Sequence, residues 1–340
     1  MVRRVLVLLT AVLLTGIGPA YAFNPSGVTQ QMALPLEQLQ QSLDGLARRA
    51  PGDVAVAVRD LRTGDVVGYN AEASLPAAST IKVPVMVEVF RQMEAGRFTL
   101  DRSVALKRGD RDGGWGDLAG VPSGSRYTVR RLLWLMITES DNTAANMLIR
   151  LVGRVHVNQT MRMLGLGHTH LSDYIRSFGD IRSIRTTAAD MAGLMAMIAH
   201  GRIVDEWSCG EMLQILAGQQ INTLLPEPLP PDVLIAHKTG SLHDTLNDVG
   251  VVYVAEAPYA IAVMTTHLGS LDAGRAFIHA VSSLAYRKIT ALAALRADGT
   301  LTPSGDSAPI VRPSALPNAA EPMWQEAAPI GALDWQSVGD

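Results

Sequence analysis

The sequence predicts an α+β fold: one antiparallel sheet flanked by helices, with an all-helical subdomain inserted into it. Three observations carry this reading. Residues 53–60 alternate strongly, Val with Ala, and Thr63-Gly64-Asp65 turns them into a second strand at 66–69, an early hairpin. Residues 233–241, 248–255 and 260–267 are three more strand-like runs with short polar connections, which suit an antiparallel meander. Between hairpin and meander, from about residue 97 to 202, apolar residues recur at helical spacing and strand signals are almost missing.

The elements follow in order. Leu36, Leu39, Leu43 and Leu46 make a helical stripe over residues 36–49, ahead of the hairpin. Residues 79–95 read as a helix: Pro84 falls near its opening turns, where a missing N–H costs least, and Gly96 ends it. In the central block, residues 129–137 and 143–152 are apolar helical segments, and residues 187–200 form a third, rich in Met and Ala. Methionines at that spacing read as core filler. A last helix spans residues 272–295. The terminal helices would cover the sheet, and a cleft between the sheet and the helical insertion is the expected pocket.

The 340 residues suffice for a real core, and 48% hydrophobic against 18% charged residues excludes wholesale disorder. A formal charge of −3 gives no electrostatic reason to bind nucleic acid or an anionic membrane. Residues 1–22 read as a secretory signal: Arg3 and Arg4, an apolar run over 5–14, and Ala20-Tyr21-Ala22 for cleavage. The run is short for a bilayer span and no cysteine follows the cleavage site. The expectation is an exported chain, periplasmic or secreted, with no stable membrane anchor. The domain then covers residues 23–296. Pro303, Pro309, Pro313, Pro317, Pro322 and Pro329 break up an alanine-rich stretch over 297–340, which reads as a disordered tail holding Trp324 and Trp335. Cys209 is the sole cysteine, so no internal disulfide is possible, and without a basic neighbour it reads as a packed, inert thiol.

Three motifs carry the chemistry: Ser79-Thr80-Ile81-Lys82, Ser140-Asp141-Asn142 and Lys238-Thr239-Gly240. Residues three apart share a helix face, so Lys82 would stand beside Ser79. A serine hydroxyl is a poor nucleophile until a neighbouring base takes its proton, and the amine is that base. Ser-x-x-Lys alone arises about once per chain of this length by chance, but all three motifs in this order arise in fewer than about one chain in a thousand. Each motif singly has a bland counterpart: a helix cap, a solvated lysine, a capping turn, a strand residue with a bulge.

On these motifs the chain resembles the penicillin-recognising serine hydrolases, most closely class A β-lactamases. The longer run Ser140-Asp141-Asn142-Thr143-Ala144-Ala145-Asn146 and the later Asn247-Asp248-Val249 are similar to the family's as well. The resemblance covers about residues 36–295 and implies the β-lactamase-like fold. It also implies roles. Ser79 would be acylated, Lys82 would accept its proton, and Ser140 would relay a proton to the leaving nitrogen, held by Lys238. Asn142 would orient Lys82 and bind a substrate amide. Thr239, Gly240 and Ser241 would bind substrate along the strand, Thr239 and Ser241 through its carboxylate, and the backbone N–H groups of Ser79 and Ser241 would form an oxyanion hole. Trp115, as far before Ser140 as the family's gating aromatic, would wall the pocket. No arginine sits in the connection over residues 242–246, and Arg275 on the last helix is the substitute candidate for a carboxylate partner.

The resemblance fails over residues 169–186. There the family carries a glutamate that activates water to release the acyl group. Aligning Thr169-x-Leu171 puts Ile175 near the glutamate's place and Gly179 near the place of a following asparagine. The loop's only acids are Asp173 and Asp180, which with Arg176, Arg182 and Arg185 nearby read first as structural ion pairs. The expectation is ready acylation by β-lactams with slow release, with Asp173 or Lys82 as alternative water activators. A penicillin-binding D,D-peptidase and a non-catalytic sensor of β-lactams or wall peptides stay open. His168-Thr169-His170 lacks further ligands at a recognisable spacing, so no metal is expected, nor any cofactor. Gly113-Gly114-Trp115-Gly116 lacks the context of a phosphate loop, His243-Asp244 reads as a solvated turn at the cleft rim, and the protein is expected to act as a monomer.

Overall fold

The computed structural model describes residues 26–177, 181–302 and 309–313. Helix α1 (Ser26–Ala47) leads into the hairpin β1 (Asp53–Asp60) and β2 (Val66–Tyr69). The short β3 (Leu75–Pro76) and a 3-10 turn at Ala78–Ile81 precede α2 (Lys82–Glu94). The helical block holds β4 (Ser103–Ala105), β5 (Arg126–Thr128), α3 (Val129–Thr138), α4 (Asn142–Val152), α5 (Arg154–Met163), β6 (Arg185–Thr186), α6 (Ala188–Ala199) and α7 (Glu206–Ala217). The chain returns through β7 (Ile235–Leu242), β8 (Thr245–Val252) and β9 (Tyr259–Thr266) and ends in α8 (Leu271–Ala297).

Hairpin and meander form one five-stranded sheet, ordered β2-β1-β9-β8-β7 and antiparallel throughout. Alternation along the strands decides what covers each face. Val54, Val56 and Val58 of β1 and Tyr259, Ile261 and Val263 of β9 share one buried cluster with Leu39 and Leu43 of α1 and Ile278 and Val281 of α8. The intervening Ala55, Ala57, Ala262 and Met264 face Ala188, Met191 and Ala192 of α6. The terminal helices thus cover one face, as expected, while the methionine- and alanine-rich helix covers the other. Small residues on both sides of that contact let α6 lie close to the strands. Burial of each large side chain contributes about 1.5–3 kcal/mol.

The helical block is built around α2, whose Val83, Val85, Met86, Val87, Val89 and Phe90 are all buried. A helix apolar on every side is an interior helix. Side chains cap its neighbours: Thr128 accepts from Arg131 N at the start of α3, and Asp141 from Ala144 N at the start of α4. Cys209 is buried, and burial pushes its thiol pKa up, so it is an inert packed group.

Several boundaries differ from the sequence expectation. β8 begins at Thr245, because the turn is confined to His243 and Asp244 and the polar Asn247 and Asp248 lie inside the strand. The block in which strand signals were almost missing contains the ladder of β4 with β5 and the strand β6, which pairs with β3 outside it. Disorder from residue 297 is not what residues 309–313 show. Val311 N donates to Ala199 O at 2.8 Å, the Tyr253 hydroxyl donates to Val311 O at 3.0 Å, and Ile310 and Val311 pack on the helical core. The expected signal over 1–22, Trp324 and Trp335 lie outside the described residues. No helix among the described residues is long and apolar enough to cross a membrane.

Candidate active site

Ser79 sits in the 3-10 turn that opens into α2, directly after Ala78, whose φ is +48°. That left-handed conformation is costly for alanine and turns the chain sharply into the helix. One turn on, Lys82 is fully buried with its Nζ 3.1 Å from Ser79 Oγ. The same nitrogen lies 3.0 Å from Ser140 Oγ and 2.7 Å from both Ser140 O and Asn142 Oδ1. Ser140 forms the corner between α3 and α4 with φ +59°, a second strained position. Lys238 enters from β7, and its Nζ donates to Ser140 Oγ at 3.0 Å and Thr239 O at 2.9 Å. Three segments far apart in sequence therefore deliver one chain of polar atoms, Ser79–Lys82–Ser140–Lys238. Asp141, between two site residues, caps α4, so the capping turn and the site coexist in one motif.

Burial, with the neighbouring Lys238 charge next, holds Lys82 well below the ordinary lysine value against the opposing pull of Asp141 and Asp112. Burial also lowers Lys238, to about 7, with Asp248 opposing. A neutral Lys82 has two hydrogens and one lone pair. The carbonyl oxygens of Ser140 and Asn142 only accept, so they take the hydrogens at 2.7 Å each. The lone pair is left for a serine hydroxyl, which is the arrangement a general base needs.

Close packing sets the edge of β7 against the nucleophile. A Cβ at Gly240 would stand 3.0 Å from Ser79 N, 3.1 Å from Ala77 O and 3.1 Å from Ala78 Cβ, so glycine is what fits there. Asn247 on β8 completes the seam, donating to Pro76 O at 2.9 Å and Ala77 O at 3.2 Å. Behind β7, the His237 ring bridges Asp248 at 2.9 Å and Asn222 at 2.9 Å.

Ser79 opens into a cleft of about 710 Å³ between the sheet edge and the helical block, lined among others by Trp115, Asn142, Thr239, Gly240 and Ser241. Trp115 is 58% exposed, yet pinned: its indole N–H donates to Glu139 O at 2.8 Å and its own carbonyl accepts from Asn142 N at 3.0 Å. Arg275 and Arg182 also reach the wall. Arg182 is bound to Asp244, whereas Arg275 has, among the described residues, the exposed Asp272 at 3.8 Å. His243 stands at the rim.

The loop over residues 169–186 offers no carboxylate to this cleft among the described residues. Ile175 is buried in the helical core, its backbone N–H and C=O both bound by the Asn146 side chain at 2.8 and 2.9 Å. Asp173 is exposed and its ion pair is with Arg154 at 3.8 Å. It does not line the cleft, which removes it as a water activator. Arg176 instead donates to Arg111 O and Gly109 O, and Arg185 to Ser74. Gly179 and Asp180 lie outside the described residues. His168 finds its neighbours from distant parts of the sequence: Asp190 and Glu72 stand 3.6 and 3.7 Å from its ring. The sequence reading missed Asp112, behind the cleft wall, and Ser177, on it, which meet the Asn142 side chain at 2.8 and 3.3 Å.

Comparison with known proteins gives one consistent result. The profile of the β-lactamase enzyme family matches residues 38–289. A β-lactamase of Streptomyces lavendulae is 28% identical over 275 residues, 76% of this chain and 88% of that protein. The structure of PBP-A superposes with a TM-score of 0.68 at 30% identity, covering 75% of this chain and 95% of that one. A point mutant of PBP-A, solved as an acyl-enzyme complex with penicillin G, gives 0.68 at 29%, covering 75% and 96%. An ancestral class A β-lactamase gives 0.68 at 28%, covering 74% and 99%.

Proposed function

The chain belongs to the β-lactamase enzyme family, and we propose that it is a serine hydrolase that opens β-lactams or related amides through an acyl-enzyme on Ser79. The observation that carries this is the unbroken chain Ser79–Lys82–Ser140–Lys238, with contacts of 3.1, 3.0 and 3.0 Å. Neutral Lys82 takes the Ser79 proton as Oγ adds to the carbonyl carbon. The developing oxyanion is received by the backbone N–H groups of Ser79 and Ser241, each donor of this kind being worth about 3–4 kcal/mol. As the C–N bond breaks, the Ser140 hydroxyl gives its proton to the nitrogen and regains one from the Lys82 ammonium. Lys238 holds that hydroxyl in line, and Arg275 with Thr239 and Ser241 meets a substrate carboxylate.

Release of the acyl group needs a base to activate water. The absence of a carboxylate lining the cleft among the described residues, and the buried isoleucine at 175, support slow deacylation. The same absence favours a second reading, a D,D-peptidase acting on wall peptides and trapped by β-lactams. The penicillin-acylated relative supports the shared first step. Export is part of the proposal and rests on the leader-like residues 1–22.

Intact mass spectrometry after mixing with penicillin G tests it, beside hydrolysis of a chromogenic cephalosporin. The expected result is an adduct of one whole penicillin, since ring opening loses no atoms, that is lacking in Ser79→Ala and decays slowly. No adduct and no turnover would refute acyl-enzyme chemistry. Fast turnover would refute slow release.

A further inference from the structure

Lys82 works as a base only while the Asn142 amide presents its oxygen, and a primary amide has two faces of nearly equal shape. What fixes the orientation lies one residue deeper. Asp112, 5% exposed, accepts from Asn142 Nδ2 at 2.8 Å, from Gly114 N at 3.1 Å, and from Ser177 N and Oγ at 2.7 and 2.5 Å. A carboxylate has no hydrogen to give, so it admits only the NH2 end of Asn142. The C=O end must then point at Lys82, where it accepts at 2.7 Å.

We propose that Asp112, clamped by Ser177, is the positioning residue that locks the Asn142 amide toward Lys82 and so holds the base in its reactive geometry. This rests on the acyl-enzyme reading above. The clamp is tightly built. A Cβ at Gly114 would stand 1.6 Å from Ser177 Oγ, so only glycine allows the two loops to meet, and Asp112 N is itself held by Thr143 Oγ1 at 3.1 Å. Ser177 Oγ also accepts from Asn142 Nδ2 at 3.3 Å, closing a three-residue ring. Burial alone would push the Asp112 carboxyl up, but the Ser177, Asn142 and Gly114 donors outweigh it and keep it below its ordinary value. It is therefore ionised at working pH. The charged groups facing Lys82 are Lys238 from β7, Asp141 from the start of α4 and Asp112 from the loop before α3. Lys238 lowers its pKa, and the two acids raise it.

The test is the acylation rate of the full chain by penicillin G across pH, for wild type, Asp112→Asn and Ser177→Ala. Acylation rises with pH as Lys82 loses its proton. Asp112→Asn removes a charge that favours the ammonium, so its rising limb should move to lower pH. Its plateau should fall about 10- to 100-fold, because the amide is free to turn and misplaced groups cost about that much. Ser177→Ala keeps the charge, so it should slow acylation severalfold with the limb unmoved. A purely structural role would lower thermal stability without moving the limb. Wild-type rate and limb in Asp112→Asn would overturn the proposal. If that variant does not fold, a wild-type rate in Ser177→Ala overturns it. A wild type that takes no acyl group instead overturns the reading beneath it.

Discussion

Replacing Lys238 by methionine should make the protein more stable at neutral pH while it stops being a good catalyst. The amine is fully buried and its pKa falls from 10.5 to about 7. Each pKa unit is about 1.4 kcal/mol, so the full shift opposes folding by about 5 kcal/mol once the group is protonated, and by about 4 kcal/mol at pH 7. The unfolded chain binds this proton more tightly than the fold. Stability is therefore greatest above the unfolded value, declines as pH falls, and reaches its floor below the folded value of about 7. Methionine removes this penalty but leaves Thr239 O without its 2.9 Å donor, a loss of about 1–3 kcal/mol. The net is about 2 kcal/mol of stabilisation at pH 7. By pH 9 the penalty removed is only about 2 kcal/mol, so the advantage closes to near zero. Urea unfolding of both proteins at pH 7 and pH 9 measures this directly. A variant less stable than wild type at pH 7, or a difference that does not shrink toward pH 9, would refute the reasoning.

Gly240→Ala should leave the unfolding midpoint within a few degrees yet slow acylation about 10- to 100-fold, read by stopped-flow mixing with a chromogenic substrate. Its Cβ must displace Ser79 N or Ala77 O by a few tenths of an ångström, and that displacement falls on the nucleophile. Truncation after Thr302 should lower the midpoint by several degrees without changing the acylation rate. It uncovers the core face under Ile310 and Val311 and leaves Ala199 O without its donor.

What could be read from the sequence was whatever a local spacing encodes. Ser79 and Lys82 are one helical turn apart, so their meeting was legible from spacing, whereas the arrival of Ser140 and Lys238 beside them was implied only by the resemblance of their motifs. The strands β1 and β2 were legible because alternation and a Thr-Gly-Asp turn mark them. Asp112 was not: its partners Asn142 and Ser177 are 30 and 65 residues away, and nothing beside it marks a buried acid. The docking of Val311 was hidden for a similar reason, since a short apolar pair between prolines has no period to detect. β8 was placed late because Asn247 and Asp248 look like turn residues, while their side chains are spent inside the sheet on Ala77 O and His237.

The strand order has a consequence for how the protein is born. β1 pairs along its whole length with β9, so the early hairpin has no second neighbour until the last strand arrives. Helices α2 to α5, by contrast, pack on one another within an earlier stretch of the chain. A growing chain therefore carries Ser79 and Lys82 well before Lys238 reaches them. Under the chemistry proposed above, Ser79 gains its full set of partners only after β7, β8 and β9 have joined β1.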